Sequence, residues 1–272
     1  MSAERLRGQQ GALACPECHR PLTQSPEGFA CGPCGASYPW RDGYVDFAPQ
    51  VTMKKFGLGP LYMQDPLHIT RYEDHTRGVF VNLMGTNWGG ALSKADEDAY
   101  IQRQLKPSEG PVLDLACGAG RWTRAVVERV GMNRVIGVDL SVAMLRAIRE
   151  ALPELATVRA NAQKLPFGTG QVGAVNCSNA LQLFPDPAAV FREVARCLCP
   201  GGTFTVLTFR KAERPLYRHF QRQHEAAFNV RAFSVEEIQG WLEAAGLKLV
   251  DLHTPGTFLL FTASSSSSPS SP

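Results

Sequence analysis

Two groups of residues in this chain have the types and spacing to do chemistry. The first is Cys15-Pro-Glu-Cys18 followed, after twelve residues, by Cys31-Gly-Pro-Cys34. Each CxxC turn points two thiolates at one metal, and two such turns complete a tetrahedral four-sulfur zinc site. The spacing between the pairs is a little shorter than in common ribbons, which a hairpin between them accommodates. A segment this short cannot hold a hydrophobic core without a staple, so the zinc is expected to be structural. His19 adjoins Cys18 and is expected to stay exposed, because four thiolates already fill the shell. The second group is the stretch Pro111 to Gly120, PVLDLACGAG, with Asp139 nineteen residues beyond it. Glycines in such a turn let backbone approach a ligand where a Cβ would clash, and the helix that follows offers unpaired N–H groups. A carboxylate at the end of the next strand, RVIGVDL, can take both hydroxyls of a ribose.

These residues need a particular frame. Val112, Leu113 and Leu115 form the short apolar run of a buried parallel strand. After the turn, Trp122, Val126, Val127 and Val130 fall near one face of a helix. Strand, glycine turn and helix make a nucleotide-type cradle. Asp114 lies inside the strand end, where a dinucleotide dehydrogenase usually has an apolar residue, and the full dinucleotide glycine spacing is absent. An acid there suits the cationic methionine end of S-adenosylmethionine (SAM). The stretch resembles motif I of the class I SAM-dependent methyltransferases, with Ala116 in place of the first glycine.

The resemblance extends along residues 105–263. It implies an α/β, Rossmann-like fold with a seven-stranded, mostly parallel sheet, helices on both faces and an antiparallel last strand. It also implies a site: Asp114, Ala116, Gly118 and Gly120 around the methionine part, Asp139 and Leu140 at the ribose, Met144, Asn161 and Ala162 around the adenine, and Asn179 near the methyl sulfonium. Asn161 stands where the family commonly has an aspartate, and its side-chain oxygen can still accept the adenine amino hydrogen bond. Ser141 reads as the N-cap of the helix carrying Met144. TVRA and VGAVNC read as the third and fourth strands, and Cys199-Pro200-Gly201-Gly202 as the turn before the fifth, TFTVLTF. Ser234 and Glu237 form a capping box, and LKLVDLH with TFLLFTA a closing hairpin.

Before this domain, CPECHRPL and CGPCGASYPWRDGYVDFAP resemble a zinc-ribbon module found in front of certain methyltransferase domains. They also resemble the ribbon of bacterial ribosomal RNA guanine methyltransferases, which usually have a histidine where Cys34 stands, and the small ribbon proteins that partner other methyltransferases. The expected organisation is a zinc ribbon at 1–48, a linker or lid at 49–110, a SAM-dependent methyltransferase domain at 111–263 and a disordered Ser/Pro tail at 264–272. Family members fold the segment before the first strand over the cofactor, and Tyr72, His75, Phe80, Asn82 and Trp88 are spread along it here.

With 44% hydrophobic residues, the 272-residue chain can bury a full core. No run is long and apolar enough to cross a membrane, and the N-terminus lacks the apolar core of a secretory signal, so a cytoplasmic, reduced-thiol protein is expected. A net charge of +3 neither demands nor excludes a nucleic-acid partner. The methyl acceptor is therefore open. A small molecule of natural-product or quinone type fits the modest charge and the aromatic residues at 216–228, whose helix is expected to close its aromatic face over the methyl group with its arginines in water. An RNA acceptor fits the ribbon and the basic stretch carrying Arg210, Lys211, Arg214, Arg218, Arg222 and Arg231. A SAM-binding partner protein without catalysis is a third reading. No general base is evident, and the catalytic residues and oligomeric state stay open; His75, His219 and His224 are the candidate bases.

Overall fold

The computed structural model describes residues 2–51 and 77–266. Positions 67–76 of the lid segment, with Tyr72 and His75, lie outside the described residues. The chain opens with helix α1 (Ser2–Gly8), then strands β1 (Thr23–Ser25), β2 (Gly28–Ala30), β3 (Ser37–Arg41) and β4 (Tyr44–Asp46). Helices α2 (Arg77–Met84) and α3 (Lys94–Gln104) precede the motif-bearing strand β5 (Val112–Leu115). Next come α4 (Thr123–Val130), β6 (Val135–Asp139), α5 (Val142–Ala151), β7 (Ala156–Arg159) and β8 (Val172–Ser178). The rest is α6 (Pro187–Cys197), β9 (Leu198–Phe209), α7 (Pro215–Phe228), α8 (Val235–Ala244), β10 (Leu247–His253) and β11 (Phe258–Ser265).

Seven strands in the order β7-β6-β5-β8-β9-β11-β10 form the expected sheet. The neighbours from β7 to β9 are parallel, and β11 runs antiparallel between β9 and β10. Each residue of β5 and β8 is buried, which explains why they read as continuous apolar runs rather than alternating ones. Two caps fall where the sequence places them: Ser141 accepts from Met144 N–H, and Ser234 and Glu237 close a capping box; Asp186, accepting from Ala189 N–H, caps α6 in the same way. One boundary moves. The Cys199–Gly202 turn is incorporated into β9, which starts at Leu198 and shifts register against β8.

The sheet does not stop at seven strands. β4 pairs in parallel with β7, matching Val45 to Val158 and Asp46 to Arg159, and β1-β2-β3 continue outward antiparallel, for eleven strands in all. The cysteine segment thus completes an edge of the main sheet. Leu6, Cys15, Phe29, Tyr38, Val45 and Phe47 share one apolar cluster with Leu113, Ile136, Val158 and Phe167. On the other side, Leu13 bridges Phe167 and Ala14 N–H donates to the Pro166 carbonyl.

Candidate active site and cysteine centre

Parallel sheets of this kind open a crevice at the carboxyl ends of their strands. The ends of β5 and β6 meet there. Gly118 N–H donates to Asp139 Oδ2 at 2.9 Å, and Ser141 N–H donates to Oδ1 at 2.8 Å. Two backbone donors therefore aim the Asp139 carboxylate, which leaves each oxygen a further lone pair toward the crevice. Burial raises its pKa, and the Ser141, Gly118 and Leu140 N–H bonds pull it back down.

The turn itself uses three left-handed residues: Ala116 at φ 56°, Gly118 at 54° and Gly120 at 92°. Ala116 keeps the conformation that glycine would adopt more easily, at a cost of about 1 kcal/mol. The two glycines do different work. A Cβ at Gly118 would meet only Met144 Sδ, 3.9 Å away, so this position borders open space with Met144 across it. A Cβ at Gly120 would come within 2.9 Å of Ile148 Cγ1. Gly120 thus lets α5 pack against the turn.

Asp114 sits beneath the turn, buried between β8 and α4. Asn176 Nδ2 donates to its Oδ1 at 2.6 Å, and Thr123 Oγ1 donates to Oδ2. Burial pushes its carboxyl up to about 6 against the pull of those two hydrogen bonds. It locks together the strand, its neighbour and the helix that carry the turn. Asn161 forms a tight local turn in which its side-chain oxygen accepts Gln163 N–H, with Ala162 buried beside it. Leu140 is half-buried, and its carbonyl accepts from Arg159 Nε at 3.0 Å. Asn179 is buried at the end of β8 with a left-handed φ of 54°. Gln182 holds it there, donating Nε2 to its carbonyl and its Oδ1, while Thr208 Oγ1 donates to Gln182 Oε1.

Two supports escape a sequence reading. Buried Glu97 accepts from Arg77 at 2.6 Å on both oxygens and from Trp122 Nε1 at 3.0 Å, so α2 and α3 are tied to the residues just past Gly120. Arg159 bonds the Leu140 carbonyl, both oxygens of buried Asp46, and the carbonyls of Ala48 and Val51. Only partners from distant segments identify either as a hub. A buried glutamate near a tryptophan, and an aspartate in the tail of the ribbon, are the faint signals each leaves.

The candidate bases fare differently. His219 is exposed against Phe220. His224 is buried between Phe80 and Phe228, its Nε2 has no hydrogen-bond partner, and burial lowers its pKa to about 4. It is a neutral ring in an aromatic setting. The helix α7 also corrects the expected orientation. Gln221 and His224 form its buried face, whereas Leu216 and Phe220 point to solvent and Arg218 is half-buried against Gln221 and Glu225. Helical spacing alone could not rank the two faces, because Gln221 reads as polar yet bonds the Met84 and Arg210 carbonyls and Ala212 N–H.

At the far edge, Cys15, Cys18, Cys31 and Cys34 bring their sulfurs within 4.8 Å of one another. The Cys18–Cys31 and Cys15–Cys34 separations are 3.5 and 3.9 Å. Four sulfurs at about 2.3 Å around a tetrahedral zinc lie roughly 3.8 Å apart, so the donor set fits. The two turns are alike: His19 N–H bonds the Cys15 carbonyl and Gly35 N–H the Cys31 carbonyl, with His19 and Gly35 both left-handed. His19 is exposed. Burial would raise the Cys15 thiol, but the Tyr38 hydroxyl and the backbone bonds at Glu17 and Cys18 outweigh it and bring it to about 7.

Taken together, the strand order, the reversed β11 and the carboxylate-flanked glycine turn define a class I methyltransferase architecture. Residues 112–202 match the methyltransferase domain family. The chain belongs to the SAM-dependent methyltransferases and is an enzyme of that class. It is 27% identical to an uncharacterised chloroplastic methyltransferase of Arabidopsis thaliana, over 92% of this chain and 77% of that protein. It is 32% identical to the demethylmenaquinone methyltransferase of Lactococcus lactis subsp. lactis (strain IL1403), over 53% of this chain and 61% of that protein. Among solved structures it is similar in fold to geranyl diphosphate C-methyltransferase from Streptomyces coelicolor A3(2), with a TM-score of 0.55 and 19% identity over 62% of this chain and 75% of that one. No helix of the described residues is long and apolar enough to cross a membrane.

Proposed function

We propose that the enzyme transfers the methyl group of SAM to an apolar small-molecule acceptor. The observation that carries this reading is the wall on the α7 side of the sheet. Phe80, Met84, Leu183, Phe209, His224 and Phe228 pack there around the end of β9. Its cations are largely engaged: Arg210 with Glu213, Lys211 and Arg231 with Glu237, and Arg218 with Glu225. An RNA groove needs such cations free for phosphates. Curated relatives named for small acceptors, demethylmenaquinone and trans-aconitate among them, support the same reading.

In this reading Asp139 takes the ribose hydroxyls with Leu140 beside it, Gly118 bounds the cofactor groove, Met144, Asn161 and Ala162 surround the adenine, and Asn179 lies by the methyl sulfonium. Asp114, Ala116 and Gly120 shape the turn around the methionine part. The four cysteines hold one structural zinc. Bound SAM supplies an already activated methyl carbon. The chain's task is then to hold donor and acceptor in line and keep water out, which supplies much of the acceleration. A base is required only for an acceptor that must lose a proton, and neutral His224, with no carboxylate partner among the described residues, is not placed for that work.

The test is methyl transfer from tritiated SAM into a cell extract split into organic-soluble, RNA and protein fractions. Label in the organic-soluble fraction is the expected result. Label confined to RNA would replace this acceptor with a nucleic acid.

A further inference from the structure

One surface is not used by the cofactor site or by the packing of the sheet. Trp88, in the 3-10 turn Asn87–Gly89, tips its ring against Tyr217 and Phe220 of α7, with centroids 5.5 and 6.3 Å apart. Yet Trp88 is 53% exposed, Phe220 42% and Leu216 63%, and Val79 on the adjoining helix α2 is 59% exposed. These four are among the few large apolar side chains left in solvent in the described residues. Cations lie along the same segment, two of them, Arg214 and Arg222, outside the ion pairs described above. Residues 210–228 hold five basic residues against two acidic ones, a net of +3, which equals the charge of the whole chain. Arg214 lies over the Tyr217 ring, Arg222 is exposed, and neither has a carboxylate partner among the described residues.

We propose that this face docks on an anionic lipid bilayer. A tryptophan and a phenylalanine flanked by arginines are the side chains that settle at the headgroup level, aromatic bodies in the acyl boundary and guanidinium groups among phosphates. The charge complements an anionic leaflet, where each basic residue near the surface is worth about fivefold in binding. Leu216 and Val79 decide between a bilayer and a nucleic acid: aliphatic side chains gain from burial in acyl chains but offer a base no face to stack on. α7 follows the carboxyl end of β9, so the docked face adjoins the crevice where methyl transfer is read. An apolar acceptor then reaches the site from the lipid phase without crossing water. Docking stands independently of the acceptor, whereas delivery from the bilayer rests on the function proposed above.

The experiment is co-sedimentation of the full chain with vesicles of phosphatidylcholine alone and of phosphatidylcholine mixed with phosphatidylglycerol. The expected result is binding to the mixed vesicles that weakens with salt and is at least tenfold weaker in W88S/F220S. Arg222→Glu should lower binding to the anionic vesicles about fivefold or more while leaving the aromatic residues in place. Calorimetric SAM binding by each variant reports on the fold and on the cofactor reading separately, so a variant that keeps SAM but loses vesicles isolates the surface. Failure of the wild-type chain to bind anionic vesicles overturns the proposal. So does a Trp88- and Phe220-dependent dimer in sedimentation velocity, or a Trp88- and Phe220-dependent RNA complex, in the absence of vesicle binding.

Discussion

The cofactor edge of the sheet and the helical wall facing it are built on opposite plans. At the ends of β5 and β6, the carboxylates of Asp114 and Asp139 are each fixed by two hydrogen bonds from their own chain, and the glycine turn has one geometry open to it. On α7, polar Gln221 is buried, apolar Leu216 is not, and His224 keeps a nitrogen without a partner. Chemistry common to a whole class is held by backbone and short side chains. The wall proposed to meet the acceptor is held by packing, and its polarity is inverted relative to a water-facing helix.

That contrast can be broken at several points. The largest effect is expected at the junction that supports the cofactor edge. Asp46→Ala leaves the Arg159 guanidinium buried beside carbonyls alone and should destabilise the fold by about 3–5 kcal/mol in chemical denaturation. A loss under about 1 kcal/mol would show that the junction does not support the edge.

Next is a pH dependence. The Asp114 carboxyl is raised to about 6 in the folded chain from an unfolded value near 4, so the native state holds this proton more tightly than the unfolded one. Its contribution is therefore greatest below about pH 4 and is lost as pH rises through about 6, an effect of about 2–3 kcal/mol. Asp114→Asn should flatten the wild-type difference between those two pH values. An unchanged profile in the variant would assign it to other groups.

Asp139→Ala should weaken SAM binding at least tenfold in calorimetry, since hydrogen bonds to a charged acceptor contribute about 1.5–3 kcal/mol each. An unchanged dissociation constant would remove Asp139 from the ribose.

On the opposite wall the effects should be smaller and partly of the other sign. His224→Phe fills the same aromatic niche without an unpartnered nitrogen, and a gain of about 1 kcal/mol is expected with methyl transfer retained. Abolished transfer would instead give the His224 imidazole a part in the reaction itself. Phe220→Ala, on the exposed face, should change stability by no more than about 0.5 kcal/mol.

The same contrast governs what could be read from the sequence. The strand-turn-helix around Asp114, the caps at Ser141 and Ser234 and the closing hairpin are local, because hydrophobic runs and capping residues act within a few positions of themselves. The four cysteines were legible as one cluster for the same reason. The eleven-stranded sheet was not, since β4 joins β7 through backbone pairing that leaves no periodic mark. The aromatic face of α7 was misassigned because its burial depends on Met84 and Arg210 carbonyls supplied from elsewhere. The packing role of Gly120 becomes visible only once Ile148 is placed above it.

The junction between Asp46 and Arg159 also constrains how the protein is made. The two residues are 113 positions apart. During synthesis the cysteine segment emerges early, and its four sulfurs can gather from purely local turns. β4 must then wait, with its hydrogen-bonding edge and the Asp46 carboxylate unmatched, until β5, β6 and β7 have left the ribosome. Pairings this remote slow folding and leave strand edges open in the interval. Closure of the cysteine cluster and completion of the sheet are thus separate events in the life of the chain, the first able to precede the second.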